Sequence, residues 1–535
     1  MSNNNKGGNR GGGGSGGKQN YKKDNSSKGQ KTQGRDNPTA LESNTAGSTT
    51  GDQQTEPQQS QQQMEALTVD TSSALEKKIS AEVHEAETDS SSKTRLEKLV
   101  TSFFQILKDS PPTVEFVKET LKADLTKYQG NYFENLLATV KDKLESIRRF
   151  VIQHGIDEPL VVSSASSTEP GEQKQSTEKD DSSAYAPFSR ADGKPIADPS
   201  NEESSQQLTR SRQYGLRGKV WKALILGPVY ISRYSRIAES LANLRTKLDV
   251  DTYVESLNEA KLFENLPRTI SADEYASYCK ECAEYSVTRD DSFRTFRTDP
   301  NFCRIVPEQS LVRMCNALIN FQNESNSITS ISTAKPHNWS WKYTQGLNVF
   351  AGVFLYVLPE LDAFNVLSTF CAHYIPLYWQ LNHIGVQAGC YISDKILQMI
   401  DPEIYNHLVK HQIIALIYAF SLVKSMLASI EPLEEAIKLW DFFFAMGPHM
   451  SILCVVAQIE SLRNELLASE FPKAILDYRH WPKLDAKLLI TRAMELVAKL
   501  PPDVEEELLT FSKSVIVAST LTKRTEEKTI QSLIE

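Results

Sequence analysis

The chain has 535 residues and a formal net charge of −9, from 59 lysines and arginines against 68 aspartates and glutamates, a balance that argues against a nucleic-acid binder overall. No apolar run reaches the roughly 18 residues of a membrane span, and the N-terminus has no apolar signal region. Seven scattered cysteines in a chain this large suit reduced thiols in a cytosol.

Residues 1–91 are dense in Gly, Asn, Gln, Ser and Thr and nearly free of large apolar side chains. Such a segment cannot bury enough surface to offset its ordering entropy, which predicts disorder. Its first part is basic, with Lys6, Arg10, Lys18, Lys22, Lys23, Lys28, Lys31 and Arg35 against Asp24 and Asp36. It reads as a solvated tail, with contact to RNA or another anionic surface as the alternative.

Residues 92–156 form a small helical module. Leu96, Leu99, Val100, Phe103, Phe104 and Leu107 recur at helical spacing. After Pro111 and Pro112 the period resumes at Val114, Val117, Leu121 and Leu125, and again from Phe133 through Leu144 to Val151. A module of this size barely makes a core alone; packing on the main domain, self-association and binding a partner all fit. Residues 157–206, rich in Ser, Glu, Asp and Pro, read as a disordered linker.

From 207 to 515 the composition is globular and helical stripes dominate, which predicts an all-α domain. Leu311, Met314, Cys315, Leu318 and Ile319 make one stripe, and Ile452, Val455, Val456, Ile459 and Leu462 another. Pro300, Pro307, Pro359, Pro376, Pro402, Pro432, Pro501 and Pro502 punctuate the helices. The apolar runs Val349 to Leu358 and Ile413 to Phe420 read as buried helices. Asn323 to Asn338 reads as a polar loop, and residues 516–535 as a C-terminal tail.

Two short strings carry the chemistry. The first holds Asp291, Arg294 and Thr295. A guanidinium can meet several phosphate oxygens at once, and an aspartate three residues earlier on a helix can orient it. Thr295 can add a local hydrogen bond. A plain surface ion pair is the alternative, and Arg297 competes on chemistry alone. The second string is Tyr343, Thr344, Gln345 and Gly346. A glutamine amide can accept from a water while donating to a phosphoryl oxygen. Gly346 permits close backbone approach, and Tyr343 can buttress the loop. A satisfied polar residue at a helix start is the alternative. Arginine and glutamine are the two groups a slow GTPase lacks. This chain has no phosphate-cradling loop, nucleophile elbow or metal-ligand cluster of its own. His383, His407 and His411 read as surface or core residues, and Cys279 and Cys282 as two core thiols on adjacent helical turns.

Taken in order, these motifs resemble the TBC domain, the all-helical GTPase-activating module named for Rab regulators. Leu216, Arg217, Val220 and Trp221 look like its opening segment; Asp291 to Thr295 like its IxxDxxRT motif; Tyr343 to Gln345 like its YxQ motif; Leu439 to Phe443 like its later core signature, with Gly447 closing that helix. The resemblance spans about 300 residues, to near Phe511. It implies that Arg294 and Gln345 are catalytic fingers and that Asp291, Thr295, Tyr343 and Gly346 support them. Arg217, Trp221, Trp440 and Asp441 become structural, and Arg297 drops out for want of an aspartate three residues earlier.

It further implies a small GTPase of the Rab or Ras-like type as partner. GTP and Mg²⁺ would belong to that partner, and this chain would need no cofactor of its own. The stretches Gln345 to Val349, Phe354 to Phe364, Gly385 to Gly389, Asp401 to Tyr405 and Leu453 to Gln458 are similar to the spindle-pole checkpoint branch known from fungi. That branch works with a scaffold partner in mitotic exit or septation, which implies a cytoplasmic protein with a spindle-pole address.

Two departures stand out. Where the finger motif opens with isoleucine this chain has Thr288, and a register adjustment would let Val287 fill the pocket. Failing that, Arg294 is held less well, and a catalytically weak TBC-fold scaffold is the alternative function. The segment Tyr418 to Pro432 also lacks a tryptophan that many relatives carry, which reads as a core substitution.

Overall fold

The computed structural model describes residues 91–113, 115–117, 119, 132–158, 215–244, 269–329 and 342–523. The expected disordered residues before Ser91, the linker beyond Glu158 and the chain beyond Lys523 lie outside them, as does most of the stripe from Val114 to Leu125. Among the described residues there is no strand, and no helix is long and apolar enough to cross a membrane.

Two helices lead, α1 (Ser91–Asp109) and α2 (Tyr132–His154), followed by the long α3 (Leu216–Leu244). Next come α4 (Ala272–Tyr278), α5 (Tyr285–Arg294), α6 (Pro300–Ile305) and α7 (Glu308–Thr329). The polar stretch from Asn323 is thus helical as far as Thr329, and residues 330–341 lie outside the described set. Then follow α8 (Leu347–Val357), α9 (Glu360–His373), α10 (Ile384–Ile400), α11 (Pro402–Lys410), α12 (Ala415–Tyr418) and α13 (Phe420–Ser425). The second half holds α14 (Leu433–Met446), α15 (Met450–Ser461), α16 (Arg463–Ala468), α17 (Pro472–Ile475), α18 (Ala486–Val497) and α19 (Pro502–Thr510).

The prolines sit where helices begin. Pro300, Pro402 and Pro502 occupy the first turns of α6, α11 and α19, and Pro359 and Pro432 precede α9 and α14. The first-turn N–H has no intrahelical acceptor, so proline loses nothing there. The exception is Pro228, inside α3. The run Ile413 to Phe420 is not one buried helix: α12 has four residues, and Ile417 is exposed.

Helices α8 and α15 are apolar around most of their circumference, and burial follows: α8 is buried but for the half-buried Val349, and α15 is buried as far as Ile459. Helix α8 packs against α7 and α9, and α15 against α10 and α18. Trp221 lies at 6.3 Å from Trp440 and 4.8 Å from Phe444, and Phe350 and Phe354 close the aromatic cluster around Trp440. Residues 515–523 are helical, and Ala518 and Leu521 are buried in the same core, so packed chain runs past position 515.

The leading helices join that core. Helix α2 packs on α3 and α14, and α1 on α2 and α3. Gly227 allows the approach: a Cβ there would lie 2.9 Å from a Leu144 methyl and 3.2 Å from Phe103. A polar clamp completes the join. The Glu158 carboxylate accepts from the backbone N–H groups of Leu216 (2.8 Å) and Arg217 (2.7 Å), capping α3. The Arg217 guanidinium donates to the carbonyls of Glu158 and Ile156, both at 2.9 Å, and through Nε to both Asp441 oxygens. Trp221 donates to Asp441 at 2.6 Å. Burial pushes the Asp441 pKa up, and Arg217 and Trp221 hold it back.

Two histidines lie among packed atoms around Lys513. Burial, with the Lys513 charge, lowers the pKa of His373 to about 4 and of His449 to about 3. An unfolded histidine titrates near 6.5. Acidification from pH 7 to 5 therefore draws protons into the unfolded chain first, and stability falls over that interval. The ceiling at pH 5 is about 2 kcal/mol per ring, trimmed because each ring keeps an accessible edge. The melting temperature is expected to drop between pH 7 and 5, and to drop less in a His373→Gln, His449→Gln double variant. Equal drops in both proteins would remove the histidines from the explanation.

Candidate functional site

Helix α5 is built inside out. Its buried residues are Thr288, Asp291 and Ser292, while Val287 and Phe293 are 52% and 56% exposed. Hydrogen bonds hold it in place of apolar burial. Thr288 donates to the Glu284 carbonyl at 3.0 Å and Ser292 to the Thr288 carbonyl at 2.7 Å. Thr288 is fully buried at its own register, so the adjustment that would seat Val287 does not occur. A hydroxyl that returns to its own helix backbone fits the pocket without an unpaired polar group.

Asp291 is the hub. One oxygen accepts from Arg294 at 2.6 Å and the other from the Tyr343 hydroxyl at 3.0 Å. Burial above all raises the Tyr343 pKa, so the hydroxyl keeps its proton and donates. Thr295 donates to the Asp291 carbonyl at 2.8 Å. The Arg294 side chain is 70% exposed while its aspartate is 6% exposed. A guanidinium presented to solvent on a buried carboxylate is oriented before any partner arrives.

The exit from α5 is also fixed. Thr295 is extended and Phe296 turns left-handed at φ 49, a conformation uncommon for a bulky residue. The Phe296 ring packs at 4.9 Å on Phe302, which stacks at 6.1 Å on Tyr356. Both phenylalanines lie over Gly352 of α8, where a Cβ would meet each at 3.2 Å. Arg297 turns elsewhere, pairing with Glu308 at 3.0 Å and lying 4.3 Å over the Phe293 ring.

Gln345 and Gly346 form the turn that starts α8. Gly346 has φ 107, closed to most side chains. The residue that sequence reasoning missed is Asn348. Its oxygen accepts from the Gly346 N–H at 2.9 Å, and its amide donates to Thr295 Oγ1 at 2.8 Å and the Asp291 carbonyl at 3.4 Å. One buried network thus joins the end of α5 to the turn presenting Gln345, which is exposed. The available signal was an asparagine just inside a helix start, where the side chain commonly bonds nearby backbone.

Trp221, Trp440 and Asp441 lie in the core beside Arg217, away from solvent. Trp440 donates to the Met426 carbonyl at 3.0 Å, and Gly447 ends α14 at φ 128. In the segment from Tyr418 that lacks a tryptophan, Tyr418 is buried and its hydroxyl reaches Asp394 at 3.1 Å. Cys279 and Cys282 are not on adjacent helical turns; they lie in the link between α4 and α5. His407 and His411 pack with tilted rings at 4.6 Å at the end of α11, and His383 is bonded to Lys424.

The Rab-GTPase-TBC domain matches residues 214–467, a span that contains α5 and the Gln345 turn and begins after α2. The mitotic check point protein BUB2 of Saccharomyces cerevisiae is 33% identical over 226 residues, covering 42% of this chain and 72% of that protein. Cell division control protein 16 of Schizosaccharomyces pombe is 32% identical over 241 residues, covering 44% and 73%. A Dictyostelium discoideum protein that carries the BUB2 name is 29% identical over 313 residues, covering 58% and 70%.

Proposed function

This chain belongs to the Rab-GTPase-TBC domain family, and we propose that it stimulates GTP hydrolysis by a small GTPase of the Rab or Ras-like type. The observation that carries this is the pairing of an exposed, pre-oriented Arg294 with an exposed Gln345 through a single buried network. GTP and Mg²⁺ enter with the GTPase, and this chain adds groups rather than turning over a substrate itself. Arg294 stabilises charge on the γ-phosphoryl and bridging oxygens. The Gln345 amide orients the attacking water. Exposed Phe293 beside Arg294 supplies apolar contact for the GTPase surface.

The names of the fungal relatives speak of a mitotic check point and of cell division control, which supports a role in mitotic exit or septation. A scaffold subunit and a spindle-pole address in the cytoplasm are part of the same proposal. The packed Thr288 and the intact Asp291–Arg294 pair favour an active protein over a silent scaffold.

The test is single-turnover hydrolysis across a panel of Rab-like and mitotic-exit-type GTPases, with and without a co-purified partner. Stimulation of one of them is the expected result; binding without stimulation under every condition would move the function to scaffolding. Asn348→Ala adds a sharper expectation. Loss of the bridging amide misplaces both groups, and a displacement of about 1 Å lowers such rates roughly 10²-fold. Folding stability should fall by only about 1–3 kcal/mol, the cost of the orphaned partners. Unchanged stimulation by this variant would show that the bridge does not position the two side chains.

A further inference from the structure

A lysine outside both motifs lies against the Gln345 turn. A Cβ built on Gly346 would sit 3.0 Å from Cε, 3.5 Å from Cγ and 3.6 Å from Cδ of Lys424. The lysine stem therefore crosses the backbone that presents Gln345. Its ammonium is 3.1 Å from Nε2 of His383, whose Nδ1 is 3.1 Å from the Tyr378 carbonyl. A carbonyl only accepts, so Nδ1 carries the ring proton and Nε2 accepts from Lys424. Burial lowers the His383 pKa, and the adjacent ammonium adds to this, which keeps the ring neutral in that role. The ammonium also stands 5.6 Å from the centre of the Phe420 ring.

What Lys424 lacks is a carboxylate. No ion pair to it forms among the described residues. The acidic group whose charge reaches it is Asp291, already bonded to Arg294 and Tyr343. Burial lowers the Lys424 pKa to about 8. A partly desolvated ammonium with one neutral acceptor has N–H donors to spare and gains most from an anion delivered as water is excluded.

We propose that Lys424 is a specificity residue of the GTPase contact, its ammonium taking an anionic oxygen that the small GTPase brings to the Gln345 side of the site. This inference rests on the proposed function. The oxygen comes either from the nucleotide phosphates or from a carboxylate on the GTPase surface, and the experiment separates the two.

The probe is the panel GTPase that binds wild type most tightly, loaded with a non-hydrolysable GTP analogue or with GDP and fluoroaluminate. Lys424→Met keeps the stem against Gly346 and removes the charge; Lys424→Arg keeps a charge. Lys424→Met is expected to weaken binding roughly 10-fold, as for one charge-assisted contact. It should also flatten the salt dependence and leave melting unchanged, while Lys424→Arg recovers part of the affinity. A larger loss with fluoroaluminate assigns the oxygen to the transferring phosphoryl group. An equal loss with both forms that disappears when a GTPase surface carboxylate is changed to its amide assigns it to that carboxylate, and one that persists assigns it to a phosphate common to both forms. Wild-type affinity in Lys424→Met, or a loss with unaltered salt dependence shared by Lys424→Arg, would overturn the inference. Because binding is read without hydrolysis, a GTPase that binds wild type but is not stimulated counts against the proposed activity and leaves the Lys424 result standing.

Discussion

Arg294→Ala is expected to lower stimulated GTP hydrolysis by roughly 10³ to 10⁵, the range of an arginine finger, with little loss of folding. The side chain is 70% exposed and contributes little packing. Its removal leaves Asp291 with the Tyr343 hydroxyl and the backbone contacts of Thr295 and Asn348 undisturbed. Arg294→Lys should fall almost as far, because an ammonium cannot bond Asp291 and span several phosphoryl oxygens in one plane. Single-turnover rates at saturating activator read the effect. A rate within a few-fold of wild type for Arg294→Ala would remove this residue from catalysis.

Arg217→Ala is expected to be the most damaging single change to stability. Arg217 and Asp441 are each 4% exposed in their side chains. Breaking a buried pair by removing one member costs about 3–5 kcal/mol, because the other charge stays behind unpaired. For a domain of this kind that corresponds to a melting temperature lower by roughly 10 °C. The same variant frees the carbonyls of Ile156 and Glu158, so the chain leaving α2 loses two of its bonds to α3 and keeps the Glu158 carboxylate cap. A double change, Arg217→Met with Asp441→Leu, should recover much of the loss, since well-packed apolar residues often replace a buried pair. Recovery stays incomplete because the Trp221 indole loses its acceptor. Thermal unfolding of the three proteins decides it, and a double variant no better than the single would mean that the damage is lost packing rather than stranded charge.

What was legible in the sequence follows from where apolar burial does the work. The stripes that became α1, α2, α7 and α15 are apolar at helical spacing and buried where the spacing puts them. Proline positions marked helix starts because the missing N–H matters least there. Helix α5 gives no such signal. It turns Thr288, Asp291 and Ser292 inward and Phe293 outward, so its placement came from the motif, not from periodicity. The Thr288 expectation went wrong for the same reason: a polar residue at a buried position looks misplaced until its acceptor, the Glu284 carbonyl, is seen. The site bonds of Asn348 and the approach of Lys424 to Gly346 span long stretches of chain, and single-sequence patterns do not record such pairs. The leading helices were legible as helices, but their docking on α3 and α14 depended on Gly227 and on the Arg217 clamp.

The central claim is that Arg294 and Gln345 act together on another protein's nucleotide. The most direct measurement is complex formation with the stimulated GTPase loaded with GDP and fluoroaluminate, compared with its GTP-analogue form, for wild type, Arg294→Ala and Gln345→Ala. Wild type should bind the fluoroaluminate form far more tightly, as expected of groups complementary to the transition state, and both variants should lose that preference while still binding the GTP-analogue form. Retention of the wild-type preference by either variant would contradict the account.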